Sequence, residues 1–148
     1  MTVGPRREAR ERALGLLYEA DAKGITPVAV LAEIPVEPDA FAVSLVEGVG
    51  ACQAELDDVI GRYAVDWSVE RMPVVDRTLL RMAAWELLHR ADVPTAAVIS
   101  EAVELAKLYS TEESGRFVNG VLGSIAGAVR SGERGVAPQE PGGVSGSC

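Results

Sequence analysis

The sequence predicts an all-α protein, and three observations support that prediction. Nearly half of the residues are hydrophobic and only 5% are aromatic. The apolar residues are mostly Ala, Leu and Val, a mixture typical of packed helices. They recur at three- and four-residue intervals along much of the chain, which is the spacing of one helix face. A length of 148 residues is enough for one domain with a buried core.

Two helices are predicted in the first quarter of the chain. The first extends from Pro5 to Gly24, where glycine is a natural C-terminal stop. A short second helix covers residues 28–34, because the spaced prolines Pro35 and Pro38 then interrupt the apolar pattern.

A long third helix is predicted next, followed by a connector. Asp39 can cap the third helix, whose periodic apolar residues continue to about Tyr63. The connector AVDWSVERMP should contain a brief helical turn, with Trp67 as a plug in the core.

The last three helices are predicted from residue 73 onward. Residues 73–90 are apolar almost all round, with Asp76, Arg77 and Arg81 as a narrow polar strip, which indicates a central buried helix. The fifth helix ends near Ser110. Ser114 can cap the sixth, whose glycines should permit close helix contacts: Gly120, Gly123 and Gly127.

The domain is therefore expected to cover residues 1–130. Residues 131–148 are rich in Gly, Pro and Ser and have no hydrophobic pattern. This composition predicts a disordered tail.

Charge is distributed unevenly. The net charge is −8, yet four arginines crowd the first twelve residues, and residues 33–58 contain acids and no base. Arg6, Arg7 and Arg10 fall within one arc of the first helix. Cations are unfavourable at a helix N-terminus, which favours a functional role over a solvated surface. Tyr18, two turns further on, could stack on an unpaired base.

Other functional classes find little support. The only histidine is His89, and no closely spaced pair of metal ligands accompanies it, so we expect no metal site. No nucleophile with a base, no phosphate-binding loop and no dinucleotide fingerprint is found, which predicts no catalytic residues and no cofactor. No signal peptide or membrane-spanning run is present, and a cytoplasmic protein is expected.

Three ordered segments resemble the NusB family of transcription antitermination factors. They are RREARERALGLLYEAD, then VVDRTLLRMAAWELLHRADVP with ISEAVELAKLYS, and finally FVNGVLG. The resemblance covers roughly residues 5–130. It implies about seven helices in two packed subdomains, and a non-enzymatic role. It also implies binding to single-stranded boxA RNA of ribosomal RNA operons with NusE, a small-subunit ribosomal protein, and assembly of the antitermination complex on RNA polymerase.

The resemblance also implies site residues. Those expected to bind RNA are Arg6, Arg7, Arg10, Tyr18, Arg81, Tyr109, Glu113 and Phe117. Those expected to face NusE are Arg71, Asp76 and Arg77. From the residues alone, Tyr109 and Phe117 would instead be core positions. Outside its arginine-rich start the chain is acidic, which suits a basic ribosomal protein as partner, since complementary charge speeds the association of two proteins.

Two alternatives remain open. The domain also resembles the RNA-binding module of certain ribosomal RNA cytosine methyltransferases. The first helix could instead be a self-association face, which would make the protein a helical homo-oligomer such as a homodimer. If the arginine face binds RNA, Arg7→Ala and Arg10→Ala should weaken binding without unfolding the domain.

Overall fold

The computed structural model describes residues 4–130 and confirms the all-α prediction. Counting one 3-10 turn, this part of the chain contains seven helical segments. They are α1 (Pro5–Lys23), α2 (Pro27–Glu33), α3 (Ala40–Tyr63), the 3-10 turn Val69–Arg71, α4 (Val74–His89), α5 (Thr95–Tyr109) and α6 (Glu112–Val129). The predicted tail, residues 131–148, lies outside the described residues.

The helix ends follow local capping chemistry. Gly24 ends α1 with φ 69°, a left-handed conformation that glycine adopts without steric cost. The side chain of Asp39 accepts a 2.8 Å hydrogen bond from the backbone N–H of Phe41, as predicted. The predicted cap of α6 is wrong, because the helix is capped three residues earlier, by Thr111. Thr111 Oγ1 accepts from the backbone N–H of Ser114, which therefore lies inside the first turn.

The central position predicted for α4 is confirmed. This helix packs against α1, α3, α5 and α6, and its apolar residues belong to one continuous hydrophobic core. The most extensive helix pair is the α5–α6 hairpin. As a result, α4 presents side chains to the first turns of α1 on one side and to the hairpin on the other.

Close helix approach occurs at other glycines than those predicted. A Cβ added at Gly48 of α3 would lie 2.2 Å from Cε2 of Trp85, so the indole of α4 covers this position. In contrast, a Cβ added at Gly120, Gly123 or Gly127 would meet no atom of the described residues within 4 Å. These α6 glycines are exposed, because the buried residues of α6 lie on its opposite face.

Trp67 is not the core plug that the sequence suggested. It follows α3 in the connector and is 44% exposed. Its indole contacts the ring of Phe117 edge-on, with 5.4 Å between ring centroids. The connector thus carries the indole to the surface, beside α6.

Candidate nucleic-acid interface

The first turns of α1 place three arginines near one another, in three different environments. Arg6 is exposed, and its Cζ lies 4.0 Å from the centroid of the Phe41 ring. A guanidinium over an aromatic face is attracted by the electron-rich ring. No ion pair to Arg6 is found within residues 4–130, so its hydrogen-bond donors are available to a ligand.

Arg7 is half-buried and paired with α5. Its guanidinium forms a two-pronged ion pair with the carboxylate of Glu101, and Nη2 donates to Oε2 at 3.0 Å. The hydrogen bond from Arg7 lowers the pKa of Glu101, and the same bond raises the pKa of Arg7. Arg7 can therefore contact RNA through Nη1, which does not bond to Glu101, or by exchanging that carboxylate for a phosphate.

Arg10 is buried, contrary to the expectation of a free arginine face. Its residue exposure is 4%, and Glu86 is 1% exposed. Arg10 Nε donates to Glu86 Oε2 at 2.8 Å, and Nη2 donates to Oε1 at 2.7 Å. Helical spacing correctly grouped the three arginines, but only Arg6 presents its guanidinium freely to solvent in this structure.

The aromatic residues of the predicted RNA surface are accessible to different degrees. Tyr18 is 49% exposed and Tyr109 is 52% exposed, so Tyr109 is not a core residue. The Tyr109 hydroxyl donates a 2.8 Å hydrogen bond to Glu11 of α1, and this bond raises the pKa of the phenol. Phe117 is half-buried, and Glu113 is exposed in the first turn of α6. The contact of Tyr109 with Glu11 places it beside the arginine-rich helix.

A groove on another part of the surface contains two of the other predicted residues, Arg77 and Arg81. It lies between α1, α2, α3, the 3-10 turn and α4, and its volume is about 800 Å³. Arg77 lines it and approaches Asp21 at 3.4 Å. Arg81, one turn along α4, also lines it and donates to both oxygens of Asp57, at 2.7 and 2.9 Å. The structure thus groups Arg81 with Arg77 and not with the arginines of α1.

The two remaining residues predicted to face NusE differ in accessibility. Arg71 is exposed at the end of the 3-10 turn. Asp76 is 1% exposed, and its Oδ1 has no hydrogen-bond partner in the part of the chain that the structure describes. Asp76 is therefore buried in the protein interior, and it is not part of the exposed polar strip that the sequence predicted on α4.

Sequence reasoning missed the carboxylates that hold the arginines. Neither Glu101 nor Glu86 was identified from the sequence as the partner of an arginine. One signal was present, because Glu86 is an acid within the almost wholly apolar segment MAAWELL. A lone charge on a buried helix indicates a buried partner of opposite sign.

One group of potential metal ligands is found among residues 4–130. Donor atoms of Cys52, Glu55 and His89 lie within 4.8 Å of one another. The His89 ring nitrogen and Glu55 carboxylate are 3.1 Å apart. Cys52 and His89 both interact with further groups, so we assign no metal to this group. Within the same residues, no helix is both long and apolar enough to cross a membrane.

Known proteins similar to this chain share one family. The model of the NusB family matches residues 7–127. The transcription antitermination protein NusB of Kineococcus radiotolerans is 49% identical, over 84% of this chain and 94% of the relative. The protein of the same name from Salinispora tropica is 51% identical, over 82% of this chain and 94% of the relative.

Solved structures agree with the sequence comparison. A structure of T. maritima NusB is 38% identical, with a TM-score of 0.75, and the match covers 85% of this chain and 93% of that one. A chain from a crystal structure of antitermination factors NusB and NusE in complex with dsRNA is 31% identical, with a TM-score of 0.71, and the match covers 83% of this chain and 96% of that one. Sequence and fold together show that this chain belongs to the NusB family.

Proposed function

We propose that this chain is a transcription antitermination factor that binds boxA RNA of ribosomal RNA operons together with NusE. The observation that supports this most directly is Arg6, an exposed guanidinium that has no carboxylate partner among residues 4–130, on a protein of net charge −8. Phosphate contacts need such cations, because binding gains free energy from released counterions. Relatives named transcription antitermination proteins, and a structural neighbour solved with NusE and RNA, support the same proposal.

The RNA surface is proposed to follow α1. Arg6 and Arg7 would contact phosphates, while the exposed rings of Tyr18 and Tyr109 could stack on unpaired bases. Arg10 would act as a positioning residue, since its buried pair with Glu86 fixes α1 against α4. The contributions of Glu113 and Phe117, on α6, stay predictions from the family resemblance.

The groove is proposed as part of the NusE surface. Acidic residues dominate its polar lining, namely Asp21, Asp57, Asp58 and Glu70, against Arg77 and Arg81. An acidic lining suits a basic ribosomal protein. Arg71 and Arg77 could contact NusE directly, whereas Asp76 is buried and would support the start of α4.

The proposed role is that of an adaptor and not of an enzyme. One surface would hold RNA, another would hold NusE, and together they would join the antitermination complex on RNA polymerase in the cytoplasm. This role does not require any covalent bond to be made or broken. A homodimer is one alternative, and sedimentation at several protein concentrations tests it, because a strict monomer would exclude self-association.

The decisive experiment is a titration of fluorescently labelled boxA RNA, followed by anisotropy, with and without NusE and at several salt concentrations. The neighbouring complex contains double-stranded RNA, so a duplex of the same sequence is titrated in parallel. We expect tighter and salt-sensitive binding of the single strand when NusE is present.

Arg6→Ala should weaken RNA binding several-fold, because a phosphate contact is lost. The slope of log affinity against log salt should fall by about 0.7, the value for one contact to a single strand. Arg12→Ala is the matched control, since Arg12 is exposed on the same helix. Equal losses in the two variants would mean that general charge, and not the Arg6 site, binds the RNA. No binding of either RNA under any condition would refute the proposed function.

A further inference from the structure

Two guanidinium groups from distant parts of the sequence lie against one aromatic ring. Cζ of Arg6 is 4.0 Å from the centroid of the Phe41 ring, and Cζ of Arg90 is 5.0 Å from it. Arg6 is in the first turn of α1, and Arg90 directly follows α4. Phe41 itself is buried, at 7% exposure. The ring attracts both cations and so keeps together two positive charges that would otherwise repel each other.

The outer side of this cluster is accessible to solvent. The side chain of Arg90 is 25% exposed, and that of its carboxylate partner Asp92 is 60% exposed. Arg90 donates to both oxygens of Asp92, at 2.9 and 3.0 Å. This pairing lowers the pKa of Asp92, and the nearby charge of Arg6 lowers it further. Both guanidinium groups therefore act on the same region of the surface.

The ion pair of Arg90 is of a kind that a ligand can replace. Exposed pairs contribute little net free energy, because water solvates both charges well. Like a carboxylate, a backbone phosphate offers two adjacent anionic oxygens, and a guanidinium can bind either group with two parallel hydrogen bonds. Arg10 is also near the ring, at 5.2 Å, but its donors are engaged by buried Glu86. Arg10 adds positive potential without adding a contact.

We propose that Arg6 and Arg90, held against Phe41, form a binding site for a backbone phosphate of the RNA. This inference rests on the proposed function and adds to it a contact outside the arginine-rich segment of α1. The carboxylate of Asp92 would compete with the phosphate for the guanidinium of Arg90. The RNA strand would then cross from the start of α1 to the turn between α4 and α5.

The test compares two arginines that are paired in similar ways. Arg90 is bound to Asp92, and Arg62 is bound to Asp58 by an exposed ion pair on α3. Labelled boxA RNA is titrated with the full chain, and binding is followed by anisotropy at several salt concentrations. Arg90→Ala should weaken binding several-fold and lower the salt slope by about 0.7, whereas Arg62→Ala should change neither.

A second pair of variants tests the competitor. Asp92→Asn should tighten RNA binding, because Arg90 is released and a repelling charge is removed. Glu33→Gln, which removes the charge from the exposed ion pair between Glu33 and Lys23, should leave the affinity unchanged. The Asp92→Asn measurement remains informative if the Arg90→Ala protein fails to fold, because the Asp92→Asn protein retains both Arg6 and Arg90. An unchanged or lower affinity of Asp92→Asn, or equal effects at the two arginines, would overturn the phosphate site. If the unmodified protein does not bind the RNA at all, the proposed function itself is wrong.

Discussion

The pair formed by Arg10 and Glu86 illustrates how much depends on single residues in this core. Both side chains are at most 5% exposed, so each charge has lost nearly all contact with water. The two parallel hydrogen bonds compensate for that loss. If one partner is removed, the other becomes a buried charge without compensation, which costs about 3–5 kcal/mol.

Arg10→Ala should therefore lower the free energy of unfolding by about 3–5 kcal/mol, measured by urea denaturation. This differs from the expectation that the substitution would affect RNA binding alone. The double variant Arg10→Met with Glu86→Leu should recover most of the stability, because no charge is left buried. Arg12→Ala, at an exposed site, should change the free energy by at most about 0.5 kcal/mol. An Arg10→Ala protein as stable as the Arg12→Ala protein would contradict this account.

The arginines could be predicted from the sequence, but their partners could not. Helical geometry alone places Arg6, Arg7 and Arg10 on one arc, since they are close in sequence. Glu101 is 94 residues from Arg7, and Glu86 is 76 residues from Arg10. Such pairings depend on how α1 packs against α4 and α5, and periodicity within one helix contains no information on that packing.

Contacts between elements depend on where small residues occur. The indole of Trp85 on α4 lies over Gly48 of α3, where any Cβ would overlap it. This close approach is part of the extensive α3–α4 packing. The exposed glycines of α6 have no comparable neighbour, so they lower helix propensity without improving packing.

Gly48→Ala and Gly123→Ala should therefore change stability in opposite directions. The first should lower the free energy of unfolding by about 1–3 kcal/mol, because the added methyl group displaces the indole. The second should raise it by about 0.5–1 kcal/mol, as alanine restricts the unfolded chain and favours the helix. Thermal and urea unfolding of both variants measure the difference. Stabilisation by Gly48→Ala would show that α3 and α4 are not closely packed there.

Element boundaries were predictable because their signals are local. Gly24, Asp39 and the spaced prolines mark helix ends without reference to the rest of the fold. The start of α6 was misplaced because Thr111 and Ser114 are both good caps, and only the backbone shows which one is used. Trp67 was misassigned because burial of an aromatic residue in a connector depends on the path of the whole chain.

On the scale of the whole molecule, charge is the dominant feature. The net charge is −8, while Arg6 is exposed at the start of α1 and acidic residues surround the groove. Such a distribution can attract RNA at one place and a basic protein at another. Long-range attraction of this kind acts mainly on the rate of association and is screened by salt.

The association rate with NusE should fall by roughly tenfold or more between low and high salt, while the dissociation rate changes little. Stopped-flow mixing at several salt concentrations measures both rates. Glu70→Gln, which alters the acidic lining of the groove, should slow association more than Glu112→Gln at the start of α6. A rate that is independent of salt would argue against an acidic docking surface.

The buried pair of Arg10 and Glu86 also constrains how this protein can evolve. Replacing either residue alone passes through a form with an uncompensated interior charge, close to the limit of stability for a small domain. The two positions should consequently change together among relatives, or remain fixed together. The helix on which the RNA contacts are proposed is thereby coupled in evolution to Glu86, a buried residue 76 positions from Arg10.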